Sequence, residues 1–210
     1  MSPYPILVVT AVPAEAEALR SEIDPNLIVV EAVGVGPAAA AAGTARLLAT
    51  RTYRAVLSAG IAGGFPGRAE IGSTVLATRS IAADLGAETP DGFLPVEELG
   101  FGNSRLDTDP TLLAALRTAL PSAIPGEILT LSTVTGTATT ADQLAARFPS
   151  AVAEAMEGYG VASAAAGARI PFAELRTISN PIGPRDRAAW RLPEAFTALR
   201  AAAPALSTLP

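Results

Sequence analysis

Short apolar runs alternate along this chain with longer, Ala-rich stretches of helical period. Ile6-Leu-Val-Val-Thr10 is apolar at successive positions, which predicts a strand covered on both faces. Pro13 suits the first turn of a helix, where its missing amide costs nothing, and predicts a helix to roughly Glu22. Leu27–Val33 reads as a second strand, Ala38–Thr50 as a second helix after the turn Gly34-Val-Gly36-Pro37, and Arg54–Ala59 as a third strand. That strand runs into Gly60-Ile-Ala-Gly-Gly-Phe65. Ile71–Ala83 predicts one extended strand with a bend, and Asp84–Arg105, rich in Gly, Pro and acids, a long functional loop. A helix near Asp109–Leu120 and a strand at Glu127–Val134 follow. Ala151–Ala168 admits two readings: one helix, or a strand to Ala155 and then a helix. A strand over Phe172–Ser179, a Pro/Gly turn and a helix over Arg187–Ala203 complete the pattern.

Such alternation predicts an α/β domain with helices on both faces of a sheet. No repeat or linker divides the 210 residues, so a single domain over 1–210 is expected. Half the residues are apolar, enough for a well-covered core at this length. No apolar run reaches the ~18 residues of a membrane span, and the N-terminus lacks the basic start and cleavage site of a secretory signal. A cytoplasmic protein is therefore expected. There is neither cysteine nor histidine, which excludes disulfides, thiolate chemistry and imidazole-based triads or metal sites. The net charge of −5, without Lys/Arg clusters, speaks against nucleic acid as a partner and leaves small molecules open.

Three motifs invite chemical readings. Gly34-Val-Gly36-Pro-Ala-Ala39 matches a dinucleotide fingerprint, but no acidic residue lies between Glu31 and Glu70 to hold a ribose, and Pro37 lacks an amide. A tight strand-to-helix turn is the better reading. Gly60-Ile-Ala-Gly-Gly-Phe65 lets backbone approach a ligand closely, yet it lacks the Gly-Lys-Ser/Thr ending of a phosphate loop. Glu15 stands in a first helical turn beyond a strand's carboxyl end, where open α/β sheets bind ligands. Glutamate is also common there because it complements the helix dipole, the reading that suits Glu17.

Taken in order, Val9-Thr-Ala-Val-Pro-Ala-Glu15, Gly34-Val-Gly36, Ser58-Ala-Gly-Ile-Ala-Gly-Gly64, Ala155-Met-Glu157 and Arg176-Thr-Ile-Ser-Asn180 resemble the nucleosidase branch of the purine nucleoside phosphorylase superfamily. The stretches Ala83–Phe101 and Ser179–Arg187 are similar to its futalosine hydrolase subfamily. The resemblance implies a three-layer α/β/α sandwich with a mixed twisted central sheet, a homo-oligomer, and no metal or cofactor. By position, Glu15 matches the family's water-activating carboxylate, Glu157 the acid that holds ribose hydroxyls, and Met156 the residue against the sugar face. Gly60 falls in the loop beside the ligand. The strand-to-loop stretch Thr135–Thr140, with Ala138 and Thr140, matches the backbone that meets the purine edge; Thr139 stands where relatives often carry an aromatic. Asn180 stands where adenine-specific relatives carry aspartate. At the 5′ carboxyphenyl group, Arg185 or Arg187 is expected to pair with the carboxylate bidentately and Phe93, Leu94 and Phe101 to wall the ring; solvated arginines beside Asp186 and ordinary loop anchors are the competing readings. The implied reaction splits futalosine into dehypoxanthine futalosine and hypoxanthine, on a menaquinone route.

Cleaving an N-glycosidic bond builds positive charge on the sugar and negative charge on the departing base. A carboxylate to deprotonate water and a second to accept from two sugar hydroxyls meet the first need. An Asn amide donates to N7 and to a 6-oxo group, which favours hypoxanthine over adenine. From the residues alone, Asn180 serves equally as a turn cap before Pro181. Phosphorylases of the superfamily carry an Arg in the first loop and a Ser or Thr in the second; here these loops read Ala11-Val-Pro-Ala14 and Ile61, which favours water as the nucleophile. Another purine nucleosidase or phosphorylase, and a non-catalytic nucleoside-binding module, remain the competing readings.

Overall fold

The computed structural model describes residues 4–210. Strand β1 (Ile6–Thr10), helix α1 (Pro13–Arg20), β2 (Ile28–Ala32), α2 (Pro37–Thr50) and β3 (Ala55–Gly64) open the chain in the expected order. β4 (Thr74–Ala82), α3 (Pro110–Ala119), β8 (Ile124–Thr130), β9 (Ala151–Ala155), α5 (Gly158–Ala168), β10 (Phe172–Pro181) and α6 (Leu192–Leu206) continue it. The two readings of 151–168 resolve in favour of strand then helix, with Glu157 as the N-cap of α5.

Several boundaries differ from the pattern-based reading. β3 continues through Gly60–Gly64 because that stretch pairs with β10 and, at its end, with β9. The segment 84–105 is not one loop: it holds the hairpin β5 (Gly86–Thr89) and β6 (Gly92–Pro95), and β7 (Arg105–Asp107) follows. The strand expected at 127–134 starts and ends earlier. Helix α4 (Ala138–Arg147) was hidden by the Thr- and Gly-rich run before it, in which Thr137 caps the helix by accepting from Thr140 N–H at 3.1 Å. Ala138 and Thr140 thus sit in the first turn of a helix, not on a strand-to-loop backbone. The last helix starts at Leu192, after a short 3-10 turn at Arg187–Ala189.

The sheet is mixed. β1 lies parallel between β2 and β3, and β10 runs parallel to β3. β10 and β4 are antiparallel, β4, β8 and β9 are parallel, and β9 returns antiparallel to β3. The pairings therefore close a circuit, β3–β10–β4–β8–β9–β3. Helices cover both faces. Ile6 and Val8 join the core shared with α1, α3 and α6, whereas Leu7 and Val9 join the one shared with α2 and α5. Period-two alternation between two buried layers is why β1 reads as an unbroken apolar run.

Leu57, fully buried near the start of β3, belongs to the first of these cores. Leu57→Ala is expected to cost about 2–5 kcal/mol of stability through lost contacts and a cavity, measured by urea unfolding.

Candidate active site

Glu15 occupies the third position of α1, and its side chain turns inward, 3% exposed, while Glu17 faces solvent. Its Oε2 accepts from the amides of Ala11 (3.0 Å) and Val12 (3.2 Å), the contacts of a helix-capping carboxylate. Its Oε1 crosses to β3 and accepts from Ile61 N–H at 2.9 Å. Gly60 makes the crossing fit: a Cβ there would stand 2.5 Å from that oxygen. Burial raises the Glu15 pKa, against the opposing pull of the Ile61 amide and the positive charge of Arg176.

The second carboxylate arrives from β9. Glu157, 6% exposed, accepts from Gly36 N–H through Oε1 (3.1 Å) and from Met156 N–H through Oε2 (3.3 Å). Gly36 holds φ +91°, a conformation that needs glycine, so the Gly34–Gly36 turn aims an amide at an acid rather than at a dinucleotide. Met156 is half-buried beside it.

Between the two acids lies Arg176 of β10, 1% exposed. Its guanidinium pairs with Glu157 Oε2 (3.2 Å) and Glu174 Oε1 (2.9 Å) and donates to Ser58 Oγ at 2.8 Å. Burial disfavours its charge, but the carboxylates of Glu174, Glu157 and Glu15 together outweigh this and hold its pKa above the ordinary value. Ser80 donates in turn to Glu174. Charged residues inside the otherwise apolar stretch Phe172–Ile178 were the available signal for this network, because buried charges almost always occur paired.

Asn180 lies further along β10. A bulge between Ile178 and Asn180 shifts the register, so Asn180 faces Gly63. Its Oδ1 accepts from Ser179 Oγ (2.8 Å) and its Nδ2 donates to Pro181 O (2.9 Å), so the turn-capping role is real. With Gly63, Thr135, Glu154, Arg185 and Trp190 it also lines a cavity of about 80 Å³. Glu154, unremarked in the sequence, is 4% exposed; burial raises its pKa, opposed by hydrogen bonds from the Thr135 hydroxyl and amide.

The remaining residues scatter more widely. Thr135 and Thr140 border a larger cleft of about 830 Å³ that the β5–β6 hairpin walls with Phe93. Arg147 stacks over that ring at 4.3 Å. Arg185 is exposed, its guanidinium 6.0 Å from the Trp190 ring centre, and Phe101 is 83% exposed and lines neither cavity. Ala138 is exposed on α4. Among the described residues no cluster of three or more Asp, Glu, His or Cys is arranged to hold a metal ion.

Residues 8–208 match the phosphorylase superfamily. A futalosine hydrolase of Streptomyces coelicolor is 56% identical over 174 residues, covering 80% of this chain and 73% of the relative. One from Acidothermus cellulolyticus is 47% identical, over 95% of this chain and 89% of the relative. The chain belongs to the futalosine hydrolase family of the phosphorylase superfamily. The fold of this family member is shared with the 5′-methylthioadenosine/S-adenosylhomocysteine nucleosidase of Neisseria meningitidis, at TM-score 0.84 and 20% identity over 98% of this chain and all of that one.

Removing the central cation strands buried carboxylates. Arg176→Met is expected to cost about 3–5 kcal/mol in urea unfolding, and adding Glu174→Leu to recover part of that loss.

Proposed function

We propose that this protein hydrolyses the N-glycosidic bond of futalosine with water as the nucleophile, releasing hypoxanthine, and that its product feeds menaquinone synthesis. The observation that carries this reading is the hold of three backbone amides on Glu15, which leaves one acceptor position on Oε1 for a water. The amides of Ala11, Val12 and Ile61 converge on its carboxylate. Backbone donors that could cradle an attacking phosphate are thereby taken, and a negative charge stands in their place. Such an arrangement repels an anionic nucleophile and suits a neutral one that must lose a proton.

Glu15 takes the proton from water as its oxygen attacks the anomeric carbon. Glu157 holds the sugar and adds negative potential where positive charge develops. Three of its roughly four acceptor positions are engaged by Gly36, Met156 and Arg176. One remains, on Oε1, so it accepts from a single sugar hydroxyl where two were expected. Met156 packs on the sugar, Gly60 admits the Glu15 carboxylate to β3, and Arg176 holds Glu157 in place. Asn180 donates to the base as negative charge collects there, with the Thr135–Thr140 segment at the purine edge.

We further infer one domain, a cytoplasmic setting and a homo-oligomer. No helix among the described residues is long and apolar enough to cross a membrane.

Base release from futalosine, inosine and methylthioadenosine, each with and without phosphate, tests the assignment: futalosine turns over fastest, with no gain from phosphate. A phosphate requirement or a preference for methylthioadenosine would sink it. Glu15→Gln should lower kcat by at least about 100-fold. Because Glu15 works ionised and burial raises its pKa above the ordinary 4.5, its charged fraction falls at a higher pH than for a free glutamate. The acid limb of kcat/KM in the wild type is accordingly displaced upward from that value.

A further inference from the structure

Strands β9, β3 and β10 lie side by side, with Glu154 opposite Gly63 and Gly63 opposite Asn180. Directly paired residues in a sheet share a face, so Glu154 and Asn180 flank a position that has no side chain. A Cβ at Gly63 would stand 3.5 Å from Asn180 Nδ2 and 2.7 Å from Ile182 Cγ2. The space it leaves is the cavity of about 80 Å³, with a carboxylate on one wall and an amide on the other. Two strand spacings amount to about 10 Å, a width filled by a flat bicyclic base with a hydrogen bond at each edge.

Glu154 takes no part in the chemistry described above, yet it is buried and forms no salt bridge among the described residues. Its Oε1 accepts from Thr135 N–H at 2.7 Å and its Oε2 from the Thr135 hydroxyl. These bonds orient the carboxyl plane and oppose the burial that raises its pKa, while each oxygen keeps a lone pair. An Asn amide presents a donor or an acceptor depending on which way it is turned, so Asn180 alone discriminates weakly between a 6-oxo and a 6-amino purine. An ionised carboxylate has no such freedom: it only accepts. A 6-oxopurine carries hydrogen on N1, whereas adenine offers a bare lone pair there.

We propose that Glu154 is a specificity-determining residue that accepts from N1–H of a 6-oxopurine, across the Gly63 gap from Asn180. The inference rests on reading this cavity as the base pocket of the proposed hydrolase. A Gln side chain keeps the volume but presents either a donor or an acceptor to N1. Glu154→Gln is therefore expected to lower kcat/KM for futalosine about 10- to 100-fold and to change that for its 6-amino analogue much less, narrowing the ratio at least tenfold. Equal loss on both substrates, or no loss on either, would overturn the proposal while leaving futalosine hydrolysis intact. Calorimetric binding to the wild type gives a second arm that needs neither a folded variant nor turnover. Hypoxanthine should bind at least tenfold more tightly than 1-methylhypoxanthine and than adenine, and equal affinities would overturn the assignment even where the wild type cleaves futalosine.

Discussion

One guanidinium sets the terms for the interior of this protein. Arg176 is 1% exposed and meets Glu157 and Glu174 directly, with Glu15 close enough to act on its charge. Carboxylates taken out of water without a cation would neutralise or force the chain open, and a lone buried arginine, which keeps its proton, would force it open. Together they hold one another in place. Arg176 fixes Glu157 directly, while Glu15 is held by the amides of Ala11, Val12 and Ile61 and feels that charge from a distance.

Glycines let the charges come this close. The bare Cα of Gly60 admits Glu15 to β3, and the left-handed turn at Gly36 directs an amide at Glu157. At Glu15 the demands of local structure and of chemistry fall on one side chain: an oxygen that caps α1 and another tied to Ile61. The same bonds that complete the helix occupy the donors a phosphate would need. Choice of nucleophile in this reading follows from how a helix begins.

The layered α/β architecture was legible because buried strands and amphipathic helices leave opposite periodicities, as Ile6–Thr10 and Ala38–Thr50 illustrate. Glu15 was legible from its place beyond a strand's end and Glu157 through the family resemblance; the structure pairs Glu157 with Arg176 and leaves Glu15 close enough to act on its charge. Helix α4 was not, because Thr and Gly before Ala138 mimic a loop while Thr137 in fact caps a helix. The hairpin at 86–95 was missed because its strands are short and half-exposed, with no apolar run to mark them. Glu154 and Glu174 escaped notice for a different reason. What each does depends on a partner far away in sequence, Thr135 for the first and Arg176 and Ser80 for the second, and pairing of that kind leaves no local signature. Phe101 and Arg185 were singled out as site residues, yet one stands 83% exposed and the other sits on the surface over Trp190. Neither touches the paired acids within one chain.

The circuit β3–β10–β4–β8–β9 is closed by β10, the last strand to leave the ribosome. That strand also brings Glu174, Arg176 and Asn180. Until it docks, Glu15 and Glu157 have no cation between them, and β3 and β4 each keep an edge open. Long-range pairings of this kind form late because their loop closure is entropically expensive. Completion of the sheet and assembly of the charged centre are thus a single event in the life of the chain, and partly synthesised or unravelled forms lack both.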